Sequence, residues 1–151
     1  MQDFIKKIRK IQNFLNDRVF EVVGNEAVSH YEKSFRDEGF TDSATVKWKN
    51  VKRREKPRKT KRKEGSRPLA WDRAKILTQS GELGDSIKFA RGSDRSVIIS
   101  SDKEYAVYHN KGVKAARGKR GLPKRQFIGK SDELNKKISE KIKQHINKLT
   151  Q

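Results

Sequence analysis

The stretch IKFARGSDRSVIIS, residues 87–100, decides the fold class because it carries the clearest sheet signal in the chain. Ile87 and Phe89 alternate with polar or small side chains, as a half-buried strand requires. A β-branched run at 97–99 then follows the turn-forming residues Gly-Ser-Asp. The sequence therefore predicts a β-hairpin over residues 87–100.

Amphipathic helices are predicted N-terminal to this hairpin. Between Phe4 and Val23 apolar residues recur every three or four positions, which is the spacing of a helix with one buried face. Gly24 is expected to end or break that helix. A second helix is expected to begin at Asn25 and to end at Gly39, which suits a left-handed C-terminal position.

The C-terminal part predicts a further helix and a return of the chain to the core. Ser131 or Asp132 can cap an amphipathic helix, and Phe127 just before it is expected to be buried. The predicted fold class is therefore α+β. A small antiparallel sheet, made of the hairpin around 87–100 and the 125–129 segment, packs with the N-terminal and C-terminal amphipathic helices.

Segments between these elements carry weaker signals. Residues 40–51 fit either a loop or a short extended piece. A short helix is predicted around 71–77, and Ser80 is placed to cap the next helical turn. Residues 104–111, EYAVYHNK, predict a short helix that Gly112 stops, with a strand over the same residues as the alternative.

The charge of the chain is strongly one-sided. It has 38 Lys and Arg against 19 Asp and Glu, a formal net charge of +19, which favours polyanions or acidic protein surfaces as partners. No apolar run approaches the roughly 20 residues that span a bilayer, so no membrane contact is expected. The N-terminal residues lack the apolar core of a signal peptide, which favours a cytoplasmic start.

Two basic segments interrupt the single domain predicted for residues 1–151. Residues 52–68 contain ten basic and two acidic side chains, so they are expected to form a disordered insert. Residues 112–122 form a second basic loop. Either segment fits a solvated surface loop or an arm that binds polyanions. The candidate polyanion-binding residues are Lys52, Arg53, Arg54, Arg58, Lys59, Lys61, Arg62, Lys63, Lys119 and Arg120.

No group of residues has the spacing of a catalytic, cofactor or metal site. The histidines at 30, 109 and 145 lie on different predicted elements, and none has the i, i+4 partner of a helical zinc site. The absence of cysteine excludes thiolate metal sites and disulfides. The sequence therefore predicts no enzymatic activity and no cofactor, and His109 is interpreted as a partly buried residue at a helix end.

Three short motifs follow one another in the second half of the chain. The first consists of Leu77, Ser80, Gly81, Leu83, Ser86 and Ile87. The second consists of Tyr105, Ala106, His109 and Gly112. The third consists of Pro123, Arg125, Phe127, Ile128 and Gly129. In this order and with these gaps, the motifs resemble the phage virion morphogenesis family, which includes the Mu G-like and tail-completion proteins of tailed bacteriophages.

The resemblance implies a non-enzymatic structural protein of a tailed phage or prophage. Such a protein acts as a tail-completion or head–tail connector protein of the neck, and its copies form a ring. The implied partners are tail-tube, connector or portal-side virion proteins, and the implied location is the virion after synthesis in the bacterial cytoplasm. Two features depart from the family pattern: Lys111 stands where an aromatic residue is common, and the 52–68 insert is unusually long and basic.

A second interpretation is a sequence-independent nucleic-acid-binding protein that contacts DNA through the basic insert and loop. Neither basic segment contains an aromatic side chain to stack on bases, which weakens that interpretation. An adaptor with an unknown partner is the third.

Overall fold

The fold is organised around one long buried helix. The computed structural model describes residues 1–55, 74–78, 80–116 and 120–150. The helices of these ranges are α1 (Gln2–Asn13), α2 (Val19–Asp37), α3 (Lys52–Glu55), α4 (Glu82–Asp85), α5 (Ala106–Lys111) and α6 (Asp132–Thr150). The strands are β1 (Gly39–Thr41), β2 (Thr45–Lys47), β3 (Ile87–Arg91) and β4 (Val97–Ser101). The described ranges therefore confirm an α+β fold.

The N-terminal helices break at a different place from the predicted one. A π-helical turn at Phe14–Arg18 joins α1 to α2, and α2 continues through the buried Gly24. A Cβ atom at Gly24 would lie 2.2 Å from Cδ2 of Phe89, so the missing side chain makes room for that ring. Glu38, not Gly39, adopts the left-handed conformation that ends α2, with φ of 51°. The predictions for both glycines were wrong.

Two separate two-stranded antiparallel sheets pack beside α2. Strands β3 and β4 pair with Phe89 opposite Ile99, which confirms the predicted hairpin. Strands β1 and β2 pair with Phe40 opposite Val46. The segment at 40–51, which fitted a loop or an extended piece, thus contributes to a second hairpin that the sequence did not single out.

The 125–129 segment joins neither sheet, contrary to the prediction. Its backbone is instead held by the side chain of Asn110 in α5. The Oδ1 atom of Asn110 accepts hydrogen bonds from the backbone N–H groups of Phe127, at 2.8 Å, and Ile128, at 3.0 Å. Because a side-chain amide satisfies these groups, the segment needs no neighbouring strand.

The short elements are partly as predicted. Residues 74–78 are not helical, and Leu77 has a positive φ of 61°. The helical turn α4 follows Gly81, whose φ is 79°, and no side-chain cap is formed, so the prediction that Ser80 caps it was wrong. Helix α5 confirms the predicted helix, which excludes the strand alternative. It ends at Gly112, as predicted, with φ of 76°.

The core lies where α2, α6 and the 125–129 segment meet. Phe127, 1% exposed, packs its ring 5.1 Å from that of Phe35, which in turn contacts Trp48 at 5.5 Å. The Oγ atom of Ser131 accepts a 3.1 Å hydrogen bond from the N–H of Leu134, so Ser131 caps α6 as predicted. The disorder predicted for the 52–68 insert falls mostly on residues outside the described ranges.

Candidate assembly site

The third motif is fixed by side chains from three different parts of the chain: α2, the residue after β2, and α5. Besides Asn110, the indole N–H of Trp48 donates a 2.7 Å hydrogen bond to the carbonyl of Gln126. The hydroxyl of Tyr31, in α2, donates a 2.8 Å bond to the carbonyl of Gly129. These three residues were absent from the predicted site. The sequence signal for Asn110 is weak, since only its position two residues before Gly112, in a short helix, distinguishes it from other asparagines.

The three motifs come together around one cavity of about 280 Å³. Its lining includes residues of the first motif (Leu77, Ser80 and Leu83), the second (Tyr105 and His109) and the third (Arg125). Leu83 and Arg125 are buried, whereas Tyr105 is 41% exposed. The motifs are separated in sequence, and the fold makes them neighbours.

The remaining motif residues hold backbone in place. Ser86 is buried, and its hydroxyl donates a 2.7 Å hydrogen bond to the carbonyl of Leu83 while contacting the hydroxyl of Ser101 at 2.6 Å. Ile87 and Ala106 are buried apolar residues. Their contacts support the fold.

His109 lies half-buried at the edge of this cavity. Its ring meets that of Tyr105 edge-on at 6.0 Å, and its carbonyl accepts a 2.8 Å hydrogen bond from the N–H of Arg125. Burial, together with the nearby charge of Arg125, lowers the pKa of His109 below its usual 6.5. Within the described ranges, no three His, Asp or Glu side chains converge as a metal ion would require.

A second and larger cavity, of about 900 Å³, opens between residues 49–52 and the basic loop. The two ends of the basic loop are paired, because Val113 and Leu122 form an antiparallel bridge with two 2.8 Å hydrogen bonds. The guanidinium of Arg125 donates a 3.3 Å bond to the carbonyl of Lys49 and so connects the two walls. We call this cavity the cationic cleft. Its lining is Lys49, Asn50, Val51, Lys52, Val113, Ala115, Arg120, Gly121, Leu122, Pro123 and Arg125.

The predicted polyanion-binding residues fall into three groups. Lys52 and Arg120 are exposed at the cationic cleft. Arg54 is engaged within the fold: it binds both carboxylate oxygens of Glu38, at 2.8 and 2.6 Å, and the carbonyl of Ala74 at 2.9 Å. The hydrogen bond from Arg54 lowers the pKa of Glu38. The others lie outside the described residues or side chains: Arg53, Arg58, Lys59, Lys61, Arg62, Lys63 and Lys119.

Comparison with known proteins identifies the class. The model of the phage virion morphogenesis family matches residues 3–147. The chain therefore belongs to the phage virion morphogenesis family, whose role is the structure and assembly of the phage particle. No curated protein and no solved structure matches the chain. In the described ranges, no helix is both long and apolar enough to cross a membrane.

Proposed function

We propose that this protein is a non-enzymatic tail-completion or head–tail connector subunit whose copies form a ring in the phage neck. Family membership supports an assembly role. The observation that carries the more specific proposal is an apolar face on α1 that is exposed in the described part of the chain.

Helix α1 is amphipathic, yet it has no buried residue. Phe4 is 68% exposed and Ile8 40%, and these residues lie one turn apart on the same side of the helix. Ile5 is also exposed on α1, and Leu15 is exposed in the π-helical turn that follows it. A contiguous exposed apolar surface of this kind marks a protein contact. We call Phe4, Ile5, Ile8 and Leu15 the α1 stripe.

The occupant that we propose for the α1 stripe is the adjacent copy in the ring. Rings are built from contacts between unlike surfaces of identical subunits, so the α1 stripe of one copy would contact a different surface of the next copy. A net charge of +19 on each copy opposes this contact at low ionic strength. Salt screens that repulsion and leaves the apolar contact intact. Association of the purified protein is therefore expected to increase as salt increases.

Light scattering after size-exclusion chromatography, at about 0.1 M and about 1 M NaCl, tests this contact. The wild-type protein is expected to form oligomers at the higher salt concentration, whereas the F4S/I8S variant stays monomeric. The V46S/I98S variant is the matched control, because Val46 and Ile98, at 69% and 53%, are at least as exposed as Phe4 and Ile8 and lie elsewhere on the surface. Loss of association in both variants, or a wild-type monomer in both buffers, contradicts the ring contact.

Deletion of the gene from its phage tests the role in the virion. The expected products are filled heads and tails that fail to join, or tails of abnormal length, as seen by negative-stain electron microscopy. Infectious particles of normal shape from the deletion phage would rule out a tail-completion or connector function.

A further inference from the structure

We propose that the cationic cleft binds an extended acidic segment of another virion protein, with carboxylates at the rim and an aliphatic side chain on the floor. The recognition chemistry follows from the cleft itself. Only the source of the segment, another protein of the same particle, rests on the proposed function.

The rim of the cleft carries exposed positive charges. Lys49, Lys52 and Arg120 are exposed, and no acidic residue belongs to the described lining. Among the described residues, no carboxylate forms an ion pair with any of these three side chains. Carboxylates from outside would therefore meet a rim whose charges are not neutralised by any carboxylate of the described residues.

The floor of the cleft is aliphatic and held in place. Val51, Leu122 and Pro123 are half-buried there, beside the 44%-exposed Val113. The backbone bridge from Val113 to Leu122 keeps the loop side of the floor in register. The combination of an aliphatic floor and a cationic rim suits a segment in which acidic residues flank a Leu, Ile or Val.

Two other occupants fit less well. Nucleic acid would match the charge, but none of the described lining residues is aromatic, and bases bind single-strand sites by stacking on aromatic rings. The chain's own residues 56–68 contain seven basic and one acidic side chain, so their charge has the same sign as the rim. An acidic peptide segment matches both the charge and the floor.

Fluorescence anisotropy with the fluorescein-labelled peptide EELEDLEE, added to the full-length protein, tests the proposal. Binding is expected to weaken as salt increases, and K49E/K52E is expected to lower affinity by about tenfold or more. The control K136E/K143E makes the same change in net charge at two exposed lysines of α6, and affinity is expected to fall by less than about threefold. Circular dichroism checks that both variants are folded.

The floor is tested with the peptide EEAEDAEE, which keeps the charge and removes the leucines. Its affinity is expected to be lower by about tenfold, since the aliphatic side chain on the floor loses its apolar contacts. Equal affinity for both peptides, or equal losses in the two lysine variants, would show unspecific attraction and overturn the proposal. A short duplex DNA of equal charge is the competing ligand. The proposal would also be overturned if this DNA bound more tightly than the peptide and if K49E/K52E, but not K136E/K143E, abolished the DNA binding.

Complementation of the deletion phage separates this inference from the proposed function. If the deletion phage assembles normally, the connector function fails whatever the peptide binds. If the deletion phage is defective and K49E/K52E restores infectivity as well as K136E/K143E does, the connector function stands and the cleft inference fails. The expected result is restoration by K136E/K143E alone.

Discussion

Helices α1 and α2 have the same kind of amphipathic sequence, but only α2 is buried by the rest of the chain. Along α2 the buried residues are Phe20, Gly24, Ala27, His30, Tyr31, Ser34 and Phe35, whereas α1 buries none. The difference arises from position, because α2 lies against both sheets and the core as well as α6, whereas α1 lies beside α6 and the π-helical turn. Apolar periodicity thus identifies a helix and its contact face, and it does not tell whether the face meets its own core or another molecule.

Exchange of one phenylalanine that packs against α2 and of one phenylalanine on α1 is expected to give the largest contrast. Phe127→Ala removes a ring that is 1% exposed, and the cavity left behind is expected to lower the free energy of unfolding by about 3–5 kcal/mol. Phe4→Ala is the control, because its ring is 68% exposed, and a loss below about 0.5 kcal/mol is expected. Urea unfolding measures both. Similar losses would mean that α1 is covered in the free protein.

The tight contact between α2 and β3 is tested at Gly24. A helical Gly→Ala exchange normally stabilises by up to about 1 kcal/mol. At Gly24 the new Cβ would be 2.2 Å from Phe89, so a net loss of about 1–3 kcal/mol is expected. Gly84→Ala is the matched control, since its Cβ would lie 3.7 Å from Phe35, an ordinary contact distance. A stabilised Gly24→Ala variant would show that the β3–β4 hairpin packs on α2 more loosely than described.

The end of α2 is tested through the pH dependence of stability. The pKa of Glu38 is lowered from 4.5 in the folded protein, so its ionised form stabilises the fold above about pH 4.5, and this contribution is lost as the pH falls through the folded-state pKa. Glu38→Gln is expected to cost about 1–2 kcal/mol at pH 7 and less at pH 3. Glu82→Gln removes a carboxylate from the more exposed pair with Lys103, and it is expected to change the free energy of unfolding little at either pH. Thermal unfolding at the two pH values provides the comparison. An equal cost of Glu38→Gln at both would exclude the ion pair as the cause.

Local signals account for the parts of the fold that the sequence predicts. The hairpin at 87–100, helix α5 with Gly112 and the Ser131 cap each depend on residues a few positions apart. Gly24 was misinterpreted because the ring that requires a glycine there, Phe89, lies far along the chain. The 125–129 segment was wrongly assigned to the sheet because its backbone is bound by the side chain of Asn110, which lies outside the segment, and not by a neighbouring strand.

In the candidate site, too, local features could be predicted from the sequence, whereas contacts between distant segments could not. The three motifs were visible in the sequence, but their convergence on one cavity was not. The cationic cleft combines residues 49–52 with the basic loop, and no local pattern connects these two segments. The position of Arg54 was also hidden, because its pairing with Glu38 depends on where α2 ends. Charge content alone made Arg54 look equivalent to Lys52.

The π-helical turn at Phe14–Arg18 has a geometric consequence for assembly. A π turn holds one residue more than an α turn, and each residue of an α-helix advances by about 100° around the axis. The azimuth of the α1 stripe relative to the core is therefore fixed by the number of residues in the turn, independently of which side chains form the stripe. Removal of Asn16 from this turn would leave all four side chains of the α1 stripe present and would point those on α1 toward a different neighbour.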